Sequence, residues 1–137
     1  MKHILKSVFL IILLFPSFAL GETVKDLVVM NGLYYKKSPD VPFTGKVTGE
    51  YQGSFRDGKR DGPWVSYYYN GQLKWKGNYK DGKVDGPFVS HYDNGQLQSQ
   101  GTTKDGEMEG PWVSYNKDGT VDEEYTGTFK DYMKISD

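Results

Sequence analysis

Apolar and polar positions alternate along most of this chain, and the alternation returns at a fixed step. In LKWKGNYK, residues 73–80, Leu73, Trp75, Gly77 and Tyr79 take one side and Lys74, Lys76, Asn78 and Lys80 the other. That is the pattern of a half-buried strand. Just before it stands Asn70-Gly71, a strong hairpin signal because both turn residues must tolerate positive φ. Asn94-Gly95 and Asp118-Gly119 repeat it. PWVSYYY, ahead of the turn, reads as the partner strand, with its proline first, where a missing N–H does least harm. KDGKVDG then reverses the chain again. Each unit is therefore a hairpin, and successive hairpins predict one antiparallel sheet.

The step is 24 residues. Gly53, Gly77 and Gly101 keep it, as do Pro63, Pro87 and Pro111, and Gly71, Gly95 and Gly119. A period in this range marks stacked supersecondary units. Helical units fit poorly, because paired glycines and prolines would break helices longer than about two turns. Gly53, Gly77, Gly101 and Gly127 fall on the apolar side, two residues before Phe55, Tyr79, Thr103 and Phe129. A strand glycine weakens its strand unless something lies over it. The expected occupant is a ring from the next strand: Trp64, Phe88 or Trp112. The last unit carries two extra residues between Gly119 and Gly127, which leaves the side of each side chain unchanged.

YYYNGQLKWKGNYKDGKVDGPF resembles the variant MORN repeat, the type found in bacterial proteins labelled YwqK-family antitoxins. The resemblance runs from about Phe43 to Lys130, with full copies at 53–76, 77–100 and 101–126 and a shortened one in PFTGKVTGEYQG. It implies an all-β array of antiparallel hairpins forming an elongated, twisted single sheet. It also implies a scaffolding or protein-binding role, with lipid binding proposed for some members, and the antitoxin label implies a toxin as partner. The organisation expected is a signal peptide over 1–21, an N-terminal cap with a degenerate repeat over 22–52, three repeats over 53–126 and a C-terminal cap over 127–137. DLVVMNGLYYKK, with its own Asn31-Gly32 turn, is expected to close the front of the array, and FKDYMKISD to end it.

The signal expectation rests on Lys2 and Lys6 followed by SVFLIILLFPSFAL. This run is shorter than the roughly 20 apolar residues a membrane span needs. Ala19-Leu20-Gly21 places small residues where a signal peptidase reads, so cleavage is expected after Gly21 and the protein is expected in the periplasm or outside the cell. Of 17 basic and 18 acidic residues, cleavage removes Lys2 and Lys6, leaving 15 against 18 and a net charge near −3. Bulk charge thus gives no support to nucleic-acid binding. There is no cysteine, so neither a disulfide nor a lipid anchor on sulfur is available.

Candidate chemistry is thin. His91, the one histidine after Gly21, stands where the other copies have Tyr67 and Tyr115, which reads as an aromatic-sized repeat position rather than a base. One histidine and no cysteine cannot build a Cys/His dyad or a His-rich metal site. Ser66, Ser90 and Ser114 recur with the period, and recurrence argues for structure, since a nucleophile is needed once. Asp57/Asp61, Asp81/Asp85 and Glu107/Glu109 are placed in the reversing loops with Lys59, Arg60 and Lys83 among them. Turn formation explains their Asp-Gly pairs without calcium. No enzyme activity, cofactor or metal is expected.

Surface remains. Opposite Trp64, Phe88 and Trp112 the same strands show Val65, Tyr67 and Tyr69, then Val89 and His91, then Val113 and Tyr115. Contiguous aromatic surface marks contact sites, and tyrosine is favoured in them. Tyr67, Tyr69, His91 and Tyr115 are the candidate partner-binding residues. Charge is uneven as well. Arg56, Lys59, Arg60, Lys74, Lys76, Lys80 and Lys83 outnumber Asp57, Asp61 and Asp81 between residues 56 and 83, toward the first full copy. Asp105, Glu107, Glu109, Asp118, Asp122, Glu123, Glu124 and Asp131 outnumber Lys117 and Lys130 toward the end. The sequence reading is an exported, non-enzymatic scaffold that binds another protein; the alternative is a lipid- or glycan-binding module of the cell envelope.

Overall fold

The computed structural model describes residues 21–37 and 41–137. The basic and apolar leader on which the signal expectation rests, residues 1–20, lies outside them. Eleven strands follow in chain order: β1 Leu27–Met30, β2 Leu33–Lys36, β3 Gly45–Val47, β4 Tyr51–Arg56, β5 Lys59–Tyr67, β6 Leu73–Lys80, β7 Lys83–His91, β8 Leu97–Lys104, β9 Glu107–Ser114, β10 Gly127–Lys130 and β11 Met133–Ser136. β3 to β11 form one nine-stranded antiparallel sheet in which each strand pairs with its neighbours in sequence. This is the all-β hairpin array that the period predicts, and the sheet does not close on itself.

The two kinds of turn are the reverse of the sequence expectation. The tight two-residue turns are the Asp-Gly pairs. Arg56 pairs with Lys59 across Asp57-Gly58, and Lys80 with Lys83 across Asp81-Gly82. Asp57 and Gly58 both take positive φ, at 49° and 76°, as a mirror-image turn requires. At Asn70-Gly71 only the glycine is left-handed. There the loop holds three residues: the Gly71 N–H donates to the Tyr68 carbonyl, and the Tyr68 N–H donates to the Gln72 carbonyl. Asn70 serves as a local acceptor, its Oδ1 taking the Gln72 N–H at 3.1 Å. The acidic pairs are also split. Asp57 and Asp81 lie in turns, whereas Asp61, Asp85, Glu107 and Glu109 lie in strands, with Lys59, Arg60 and Lys83.

Nor do the prolines begin strands. Pro63 sits in the middle of β5, and Pro87 and Pro111 sit likewise in β7 and β9. Gln52 pairs with Val65 but Ser54 with Asp61, so two steps along β4 face four along β5. The two extra residues form a bulge, the place in a sheet that tolerates proline. Two also keeps each side chain on its side.

One side of the sheet is packed. Phe55, Trp64 and Phe129 are buried on it, and rings touch in series from Phe43 through Phe55, Trp64, Tyr79, Trp75 and Phe88 to Trp112. The rings do lie over the glycines. A Cβ on Gly77 would meet Phe88 Cδ2 at 2.9 Å, and one on Gly53 or Gly101 would overlap the Trp64 or Trp112 ring. Gly127 is the exception, since Lys134 and the Ser136 carbonyl lie over it. Its next strand, β11, reads MKIS and has no ring to give.

β1 and β2 form a separate two-stranded sheet turned at Asn31-Gly32. Rather than extending the edge, it contributes Leu27 and Tyr34 to the cluster around Phe43, Val47, Phe55 and Trp64. Burial of these side chains supplies the main stabilisation at this end, roughly 1.5–3 kcal/mol for each fully buried side chain. At the far end β10 and β11 make one more hairpin, and β11 is the free edge.

Candidate functional site

The unpacked side is built by the same alternation. Pro63 pairs with Asn78 and Val65 with Lys76; Pro87 pairs with Thr102 and Val89 with Gln100; Gln100 pairs with Val113. Two rows therefore cross the strands side by side. One reads Val65, Lys76, Val89, Gln100, Val113. The other reads Pro63, Asn78, Pro87, Thr102, Pro111, and the Pro111–Thr128 pair extends it onto β10. The prolines are exposed and the valines half-buried. A groove of about 1000 Å³ runs along them from β5 to β9, lined by the proline row, by Lys76, Val89, Gln100 and Val113 of the valine row, and by the ring-covered Gly77 and Gly101. Among the described residues, Lys76 is the one charged residue lining it.

The sequence-predicted tyrosine cluster does not assemble as expected. Tyr67 and His91 stand at the ends of β5 and β7, each where the pairing slips register, and both are half-buried. Neither lines the groove. Tyr69 is past the end of β5, in the hairpin loop, and fully exposed; the three-residue loop takes it off the strand. Tyr115 follows β9 and lines a different pocket with Tyr92, Met108, Trp112 and Tyr125. The surface that repeats is made of proline and valine. Its signal was in the sequence, since Pro63, Pro87 and Pro111 share the 24-residue step and the parity of Val65, Val89 and Val113.

Two further sets of residues were missed. The Tyr68 hydroxyl donates to the His91 carbonyl at 2.9 Å, and the Tyr92 hydroxyl to the Tyr115 carbonyl at 2.8 Å. Each phenol ties the end of one hairpin to the next. Arg60 is the other. Its guanidinium lies 4.8 Å from the Trp64 ring centroid, 5.3 Å from Tyr79 and 5.9 Å from Tyr34, and Nη1 donates to the Tyr79 hydroxyl at 3.1 Å. A cation over ring faces is attracted by their negative quadrupoles. Arg60 therefore belongs to the packed side and not to the free positive surface of the first copy. The later copies place Val84 and Met108 at this position.

The recurring serines belong to the packed side too. Ser66 and Ser114 are buried, and Ser90 and Ser99 share a hydrogen bond of 2.7 Å across β7 and β8. Among the described residues, no group of three or more His, Asp or Glu side chains converges as a metal site, and no helix is long and apolar enough to cross a membrane.

Comparison with known proteins agrees with the geometry. No curated protein matches the chain. Two stretches, residues 60–81 and 84–105, match the family model of the MORN repeat variant; they begin 24 residues apart, and each spans one three-residue-loop hairpin, β5–β6 and β7–β8.

Proposed function

We propose that this protein is an exported, non-enzymatic binding module whose proline–valine side receives another protein. The observation that carries the reading is the groove, apolar and repeating, with a single charge in it. The packed side is lined by its own rings and covered at its front by the first hairpin, whereas the groove is open surface of the kind that marks contacts. MORN-type repeats suggest a repeat-based binding module, which supports the same conclusion. The further likeness to YwqK-family repeat proteins would make the partner a toxin. Tyr67 and His91 flank the groove at the strand ends and extend the contact surface, and Tyr69 contributes from the hairpin loop; Tyr115 stands apart, in the pocket beside Trp112.

The test pairs two groove variants with a lipid control. Val89→Asp and Val113→Asp introduce charge into the groove but leave the ring stack alone, so they should keep the melting temperature within a few degrees and reduce recovery of a partner from envelope extracts. A protein that recovers nothing but floats with anionic liposomes, in a manner that fades with salt, would favour the membrane-surface alternative instead.

A further inference from the structure

The groove's dimensions indicate what fits it, given the reading of this side as the docking surface. Neighbouring strands lie about 4.7–4.9 Å apart, so residues on alternate strands recur every 9.4–9.8 Å or so. Pro63, Pro87 and Pro111 stand on β5, β7 and β9, as do Val65, Val89 and Val113. A polyproline II helix has three residues per turn and a rise of about 3.1 Å, giving a repeat of about 9.3 Å. An extended β-strand, repeating on one side every 6.8 Å or so, falls out of step. We propose that the groove binds a left-handed polyproline II segment lying across the strands, with an apolar residue at every third position and a carboxylate beside Lys76.

Chemistry supports the match. A polyproline II backbone makes no internal hydrogen bonds, so it needs donors and acceptors along its track. Lys76 and Gln100 stand in the valine row at the same step as the apolar side chains, on the strands between them. Neither side chain has a hydrogen-bond or ion-pair partner among the described residues. Lys76, exposed on β6, is the one charge among the described residues lining the groove, and it favours an acid on the ligand. Such a segment pays little ordering entropy on docking, because it is already extended in solution. From Pro63 to Pro111 the groove spans four strand spacings, about 19 Å, or about two turns and seven residues.

The test uses the intact protein and two fluorescein-labelled peptides of eight prolines, one with a glutamate at each end position in turn. Fluorescence anisotropy should show one of the two binding. Replacing alternate prolines with glycine should weaken it at least tenfold. Lys76→Glu should weaken it at least fivefold and favour the peptide with lysine in place of glutamate; Lys104→Glu, off the groove, should change neither. Absence of binding by both proline peptides, or equal binding of the glycine version, overturns the proposal. If a photo-reactive group at Gln100 still captures a partner in that case, the docking side stands and only the occupant is wrong. If it captures nothing, the docking side fails as well.

Discussion

At the scale of single residues, the sheet depends on absent side chains as much as on present ones. Trp112 lies flat over Gly101, and its indole N–H donates to the Thr102 carbonyl at 2.8 Å. Trp64 repeats this over Gly53, with the Ser54 carbonyl as acceptor at 3.0 Å. A methyl group on Gly101 would overlap the ring. Gly101→Ala should therefore destabilise by about 1–3 kcal/mol, the range for overpacking. Denaturant midpoints check this, and adding Trp112→Leu should recover part of the loss, since the smaller side chain vacates the space. The ring-over-glycine contact was legible at 53, 77 and 101 because glycine kept parity with the aromatics. At 127 the same inference failed because the following strand supplies Lys134. Arg60 was misread for a related reason: a basic residue beside an Asp-Gly turn looks solvated, and only the fold brings Tyr34 over it from the first hairpin.

At the scale of hairpins, the loops and the phenols between units set cooperativity. Gly71 holds φ at 83°. Gly71→Val should lower stability by about 1–3 kcal/mol, because a β-branched residue is strained there, whereas Gln72→Val at the exposed neighbouring position should change it little; equal midpoints would mean the loop conformation is different. Tyr68→Phe and Tyr92→Phe each remove one hydrogen bond between hairpins and leave a carbonyl without it. Each should cost about 1 kcal/mol, visible as faster amide exchange at His91 and Tyr115. The third loop differs from the first two in carrying Asp118 in place of asparagine. Hydrogen bonds from the Thr120 hydroxyl and then the Thr120 N–H hold the Asp118 carboxyl below its ordinary value of 3.8. A lowered folded-state value means the contribution is present above the ordinary value and is lost as pH falls through the lowered one. The stability difference between wild type and Asp118→Asn should thus be level near neutrality and change only in acid, a comparison that thermal melts across pH can make. The free edge is also managed at this scale. β11 places Lys134 in its middle and slips register against β10, two devices that discourage added strands.

At the scale of the whole molecule, the order of strands was legible because a 24-residue period leaves few ways to add hairpins. What was not legible is the local geometry at Asp61-Gly62-Pro63 and its copies. Alternation describes a regular strand, and the two extra residues of a bulge do not show in it, so proline read as a strand start. That one misreading moved the candidate site. Prolines placed inside β5, β7 and β9 join the valines as a wall, and the tyrosines given first place lie at its ends or beyond them. The central claim is that this wall is the docking side. Its most direct test is photo-crosslinking, with benzoylphenylalanine placed at Gln100, exposed in the groove, or at Gln96, exposed in a hairpin loop. With both variants folded as judged by circular dichroism, illumination of cells making the protein should yield a discrete heavier adduct from position 100 and none from 96; an adduct from 96 alone, or from neither, would contradict the account.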